Sequence, residues 1–154
     1  MTDHEDILRL IGLIRKAGKL EAGEEPVGAA CRSRHAKLLI AASNAAPNTF
    51  RRIQHFGEAG NVLWLVLPCT KEALGGVLGR SSCAMAAVMD AGFAASLAKK
   101  LAAADPERYG PAAQQLDAKA AKTLQRQREK RQHEKNMREG KKKPWAAPAP
   151  TDQK

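Results

Sequence analysis

Three short apolar runs constrain the fold of this chain more than any other feature of its sequence. They are AKLLIAA at 36–42, NVLWLVLP at 61–68 and CAMAAVMD at 83–90. Their apolar residues are nearly continuous instead of alternating with polar ones, which is typical of strands that are covered on both faces. Helix-length segments separate the runs, so the sequence predicts a three-layer α/β/α sandwich.

The segments around these runs carry helix signals. Apolar residues at 7, 10, 11 and 14 follow the spacing of one helix face, and Gly18 ends that helix. A short extended piece is expected near Lys19 to Glu21. Four further helices are then expected: one beginning at 23–26 and ending by His35, then 48–60, 70–79 with Thr70 as N-cap, and 91–104.

Charge and complexity divide the chain near Asp105 and Pro106. Residues 1–104 hold 13 basic and 9 acidic residues, whereas 105–154 hold 13 and 7, within a formal net charge of +10. The second part has only a narrow apolar seam, and its final stretch, KKKPWAAPAPTDQK, is proline-rich and expected to be disordered. We therefore expect one core domain at 1–104 and a basic tail at 105–154 that is partly helical and partly disordered.

The residues do not predict catalysis, a metal site or a cofactor. GGVLGRS at 75–81 has three residues between its outer glycines and then arginine, whereas a P-loop has four and then lysine. The three cysteines form no C-x-x-C pair, and no G-x-S-x-G surrounds the serines. An acidic N-terminus and short apolar runs favour a cytoplasmic protein with no membrane partner.

The adjacent carboxylates Glu24 and Glu25 stand at the expected start of the second helix. They have two interpretations. Carboxylates there stabilise the helix dipole, a contribution of about 0.3 to 1 kcal/mol. A carboxylate is also a pure hydrogen-bond acceptor, so an exposed one can read the N–H groups of guanine while lysine and arginine hold phosphate.

Several motifs together resemble one family. They are AGKL followed by GEE at 17–25, ASNAAPNT at 42–49, LGGVLGR at 74–80 and DAGFA at 90–94. In this order they are similar to the bacterial YlxQ-type branch of the kink-turn-binding ribosomal superfamily, which includes ribosomal protein L-seven-Ae. The resemblance covers about residues 5 to 104.

The resemblance implies a non-catalytic RNA-binding sandwich with a four-stranded mixed sheet. In kink-turn binders, an Asn-Glu pair at the start of the second helix contacts the guanines of tandem sheared G·A pairs, and a lysine follows three residues later. Those positions match Glu24, Glu25 and Gly28 here, so a carboxylate replaces the amide and a cation is absent. The family's second contact surface is the loop before the last strand, which matches 79–85.

The expected RNA-binding residues lie in those two segments and at the start of a strand: Gly23, Glu24, Glu25, Gly28, Lys37, Arg80, Ser81, Ser82 and Cys83. Asn44 and Pro47 have two interpretations, as turn-forming residues or as RNA contacts, and the first is favoured.

Two functions follow from this sequence. The leading one is a structured-RNA binder associated with ribosomal RNA, with the tail adding affinity through phosphate neutralisation and with a possible ribosomal or translation-factor partner. The alternative is a protein-interaction module that has lost specific RNA readout, with a tail that binds polyanions nonspecifically.

Overall fold

The computed structural model describes residues 3–138, which form six helices and four strands. The expected disorder of the stretch at 141–154 lies outside the described residues. In chain order the elements are α1 Asp3–Lys16, β1 Leu20–Ala22, α2 Glu24–Arg32, β2 Leu38–Ala41, α3 Pro47–Gly60, β3 Trp64–Val66, α4 Lys71–Val77, β4 Met85–Val88, α5 Ala91–Ala104 and α6 Pro106–Arg138.

The four strands form one mixed sheet in the order β1-β4-β2-β3. Strand β4 runs antiparallel to both β1 and β2, whereas β2 and β3 are parallel. Parallel neighbours need a crossover connection, and α3 supplies it. The four-stranded mixed sheet expected from the sequence is therefore confirmed.

The two central strands account for the continuous apolar runs. Every residue of β2 and β4 is buried. Alternate residues of these strands, Leu39, Ala41, Met85 and Ala87, pack with α2 and α3 in one cluster. Because successive side chains of a strand point to opposite faces, the residues between them face the other side of the sheet.

Helices cover both faces of the sheet. Helices α2 and α3 pack together on one face, and α1 packs against α4 and α5 in the other layer. The sandwich architecture predicted from the sequence is thus the observed one. One detail of that prediction was wrong: β3 was expected to be a buried strand, but its residues are only half-buried because it lies at the edge of the sheet.

The chain divides into two compact units, 1–119 and 120–154. The first unit extends beyond the domain boundary expected at 104/105, because the first turns of α6 are packed into it. Tyr109 and Leu116 are buried, and the Tyr109 hydroxyl donates a hydrogen bond to the Val66 carbonyl of the edge strand. Asp105 and Pro106 thus mark the start of a helix within this unit.

The described part of the second unit, 120–138, is helical and strongly basic. Most of its side chains are exposed, including the apolar side chains of Leu124 and Met137. The expected tail helix is present up to Arg138.

Candidate nucleic-acid interface

Gly23 joins β1 to α2 and fixes where that helix begins. Its φ of 100° lies in a region that side-chain-bearing residues rarely adopt, and its N–H donates to the Met85 carbonyl at 3.1 Å. The start of α2 is thereby tied to the first residue of β4. Glu24 and Glu25 follow immediately in the first helical turn, and both are exposed.

The loop between α4 and β4 is held close to its own helix. A methyl group placed on Gly75 would lie 2.5 Å from the Ser82 Cα, so only glycine allows this approach. The Arg80 N–H donates to the Gly75 carbonyl at 2.9 Å. These contacts leave Arg80, Ser81 and Ser82 exposed.

The start of α2 and this loop meet. A methyl group placed on Gly23 would lie 3.5 Å from Nη1 of Arg80, so the guanidinium lies beside the beginning of α2. Arg15, near the end of α1, approaches the same loop, with its Nη2 3.7 Å from a methyl group placed on Gly79. Two segments that are distant in the sequence therefore form one surface.

Glu24 has a partner that sequence reasoning did not identify. Its Oε2 lies 2.5 Å from Nη1 of Arg52, which projects from α3. Both side chains are about half exposed, so the pair lies on the surface. Arg51 and Arg52 are adjacent in the sequence, but only the packing of α3 against α2 shows that Arg52 reaches Glu24.

We call the residues at this junction the α2 surface, of which all but the half-buried Gly23 are exposed: Arg15, Gly23, Glu24, Glu25, Arg52, Arg80, Ser81 and Ser82. It contains three guanidinium groups and two carboxylates. Within residues 3–138, neither Arg15 nor Arg80 has a carboxylate within salt-bridge distance. The surface therefore offers cations for phosphate groups and carboxylate acceptors for base N–H groups.

Two of the expected site residues are buried beneath this surface. Gly28 is covered by the ring of Phe56, and a methyl group at Gly28 would lie 3.1 Å from that ring. Cys83 is only 4% exposed, and its thiol donates to the Met85 carbonyl at 3.2 Å. Burial raises the pKa of the Cys83 thiol, so the neutral form is favoured. Both residues support the surface without presenting a side chain on it.

Lys37 lies at the other end of the sheet. Its N–H donates to the Val88 carbonyl, whereas Ala41, at the far end of β2, is paired with Met85. A strand rises about 3.3 Å per residue, which puts the Lys37 backbone about 13 Å along β2 from the end where α2 begins. The structure does not bring Lys37 together with the other expected site residues.

Asn44 is used within the protein. Its Oδ1 accepts from the Lys71 N–H at 2.7 Å, and its Nδ2 donates to Glu72 at 3.1 Å. That side-chain hydrogen bond is the main reason why the pKa of Glu72 is lowered. Pro47 is the first residue of α3. The favoured interpretation of both as turn-forming residues agrees with these contacts.

Other features of the described residues lie apart from the α2 surface. A concave region beside the edge strand contains none of the expected site residues; it is lined by Gln54, Gly57, Glu58, Asn61, Val62, Leu63, Trp64, Gln115 and Lys119. No group of three or more histidine, cysteine, aspartate or glutamate residues within 3–138 is placed to hold a metal ion. Over the same residues, each helix lacks either the length or the apolar character that crossing a bilayer requires.

Comparison with known proteins adds evidence on the fold alone. No family model matches the sequence, and no curated protein is similar enough to count as a match. A solved structure from Bacillus halodurans C, described as a protein with unknown function, is 29% identical over 61% of this chain and 94% of its own, with a TM-score of 0.57. The sandwich is thus shared with a protein of known structure.

Proposed function

We propose that this protein is a non-catalytic, structured-RNA-binding protein of the YlxQ-type branch of the kink-turn-binding superfamily, and that its ligand is ribosomal RNA. The α2 surface reads guanine edges in a bent or G·A-rich element. The proposal implies a cytoplasmic location, where a ribosomal or translation-factor protein is a compatible second partner.

The observation that carries the proposal is the meeting of two segments at the α2 surface. The beginning of α2 supplies the carboxylates Glu24 and Glu25, and the loop before β4 supplies Arg80 beside Gly23. The sequence resemblance assigned both segments to RNA contact. Their adjacency in the fold is what a single RNA element would require.

The chemistry of this surface suits RNA better than an acidic protein. Guanidinium groups bind phosphate through several N–H donors, so they contribute to affinity for RNA, as the positive net charge does. Carboxylates repel phosphate, so, apart from stabilising the helix dipole, they contribute to RNA binding only where donors are presented to them. The N1 and N2 groups of an unpaired guanine edge are donors of this kind.

The basic residues of the second unit have a different role in the proposal. Residues 120–154 hold 11 basic and 4 acidic residues. They increase affinity for any RNA by releasing counterions and do not select a sequence. Specificity therefore belongs to the α2 surface and most of the salt dependence to the second unit.

The test is binding of the full chain to a kink-turn RNA and to a counterpart whose sheared G·A pairs are disrupted, across a salt series. We expect preference for the intact kink-turn, and loss of that preference in Glu25→Gln. Glu58→Gln is the matched control, because Glu58 is also an exposed carboxylate but lies near the last residue of α3, outside the α2 surface. Equal binding of both RNAs by the wild type would contradict the proposal and favour the protein-interaction alternative.

A further inference from the structure

Helices α2 and α3 meet through three successive pairs of residues. Glu24 contacts Arg52, Gly28 lies beneath Phe56, and Cys31 contacts Gly60. The positions advance by three or four residues on each helix, so the two helices run in the same direction and share one contact row. The pair Glu24 and Arg52 is the member of this row at the α2 surface.

Gly28 determines how closely α3 approaches α2 at the middle pair. A Cβ at this position would lie 3.1 Å from two atoms of the Phe56 ring, which is tighter than ordinary packing. Phe56 follows Arg52 by one helical turn, so the fit of Phe56 over Gly28 also sets the position of Arg52. Gly28 also lies beside a guanidinium of α2 itself, because Nη1 of Arg32 would be 3.2 Å from a Cβ at this position.

The Glu24 and Arg52 side chains retain unused hydrogen-bonding capacity. A guanidinium has five N–H donors, and within residues 3–138 Arg52 directs one nitrogen to Glu24. Its side chain is 57% exposed, and that of Glu24 is 48% exposed. The pair therefore presents donors and acceptors next to each other on the surface, brought together by their own contact.

We propose that Arg52 is a specificity-determining residue for guanine, acting together with Glu24. Arg52 donates to O6 of the base while the Glu24 carboxylate accepts from the N1 and N2 groups. An unpaired guanine edge presents an acceptor followed by two donors, which is the complement of this pair. Adenine has an amine in place of O6, so its amine would face Arg52, which offers only donors.

This assignment also resolves a conflict at Glu24. A carboxylate alone would repel guanine O6, because both are acceptors. With Arg52 held at 2.5 Å, the donor needed for O6 is already beside the acceptor that N1 and N2 require. The inference rests on the proposed function, since it concerns the same RNA surface.

The experiment uses the full chain and two forms of the kink-turn RNA, one with guanine and one with 6-thioguanine in the sheared pairs. Sulfur is a weaker acceptor than O6, whereas the N1 and N2 donors are retained. We expect Arg52→Met to weaken binding to the guanine RNA about 10-fold, in the range of a good arginine–guanine contact. On the 6-thioguanine RNA, the wild type should bind more weakly and Arg52→Met should cause little further loss.

Two variants separate base recognition from simple loss of charge. Arg51→Met removes an equal charge from the adjacent position, where the guanidinium contacts Asn48 and not a glutamate. Arg51→Met should weaken binding to the guanine RNA and to the 6-thioguanine RNA by the same factor. Arg52→Lys keeps the charge but loses the planar fork, so it should still show reduced discrimination between the two RNAs.

The outcomes distinguish this inference from the proposed function. If the wild type prefers the intact kink-turn but Arg52→Met has the same effect as Arg51→Met on both RNAs, the role of Arg52 is overturned and the proposed function stands. If the wild type does not prefer the intact kink-turn, both are overturned. If Arg52→Met weakens binding to the guanine RNA but has little effect on binding to the 6-thioguanine RNA, the result supports the role of Arg52 and the proposed function.

Discussion

Adjacent glycines of α4 have very different surroundings. A methyl group on Gly75 would lie 2.5 Å from the Ser82 Cα, whereas one on Gly76 would have nothing within 4 Å. The sequence pattern predicted the helix and its N-cap, and Thr70 does accept from the Ala73 N–H. It could not distinguish the two glycines, because their difference depends on a loop that returns against the helix.

Gly75→Ala should therefore destabilise the protein by about 1 to 3 kcal/mol, since backbone must move to relieve the overlap. Gly76→Ala is the matched control and should be neutral or stabilising by up to about 1 kcal/mol, through the higher helix propensity of alanine. Urea denaturation of both variants measures the difference. Equal stability of the two would contradict the close approach of Ser82 to α4.

The hydrogen bond from the Tyr109 hydroxyl to the Val66 carbonyl also has a measurable consequence. Burial is the main cause of its raised pKa, with the Asp105 charge also raising it and Arg108 opposing. A raised pKa means that the folded chain holds this proton more tightly than the unfolded chain. The protonated phenol therefore stabilises the folded chain fully when the pH is below the ordinary tyrosine pKa of 10.0. This stabilisation is lost as the pH rises through the higher pKa of the folded chain.

Tyr109→Phe should lower the free energy of unfolding by about 1 kcal/mol at neutral pH, through loss of the hydrogen bond to Val66. The difference between wild type and variant should shrink above pH 10.0. The chain contains one tyrosine, so phenolate absorbance reports this group alone. A phenol that titrates in the folded protein as it does in the denatured chain would rule out the buried contact.

At the level of elements, the sequence predicted most of what forms and little of how the elements pair. Asp90, for example, caps α5 by accepting from the Phe93 N–H, and such local signals define helix starts. The row of contacts between α2 and α3 depends instead on Gly28 and Gly60, whose roles appear only when the helices are side by side. The sequence did not predict a role for Arg52, because its contact with Glu24 depends on how α2 and α3 pack together.

Gly28→Lys tests the row directly. The Cβ of the new side chain would lie 3.1 Å from the Phe56 ring, so the ring must shift. We expect a loss of about 1 to 3 kcal/mol in stability and weaker discrimination between kink-turn and disrupted RNA. Ala29→Lys adds the same charge to the next position of α2, which is exposed, and should leave stability nearly unchanged. If Gly28→Lys is as stable as Ala29→Lys and binds the kink-turn more tightly, Gly28 is not a packing residue.

At the scale of the whole molecule, the change in charge at Asp105 and Pro106 and the end of the first compact unit lie at different positions. Asp105 accepts from the Arg108 N–H at the start of α6, so the composition shift coincides with a helix start. The compact unit nevertheless reaches residue 119. Composition could not reveal this, because one buried tyrosine and one buried leucine are enough to hold the first turns of α6 in place.

The proposed function predicts that basic residues of the second unit contribute most of the salt dependence of RNA binding. Replacing Lys122, Arg126 and Lys130 by Gln in the full chain should reduce the slope of log K against log salt by up to about 3, at about 0.9 for each neutralised phosphate on a duplex. Preference for the intact kink-turn should persist. Lys99→Gln with Lys100→Gln serves as the control, since both are exposed lysines of α5. An unchanged slope in the triple variant would exclude phosphate contacts by this segment.

The contact between Tyr109 and the edge strand has a consequence for self-association. An edge strand with unpaired carbonyl and N–H groups is a template on which a second chain can extend the sheet. Here the phenol occupies the Val66 carbonyl that such a neighbour would need. The first turns of α6 therefore shield part of the β3 edge, which disfavours addition of a second chain to the sheet at this carbonyl.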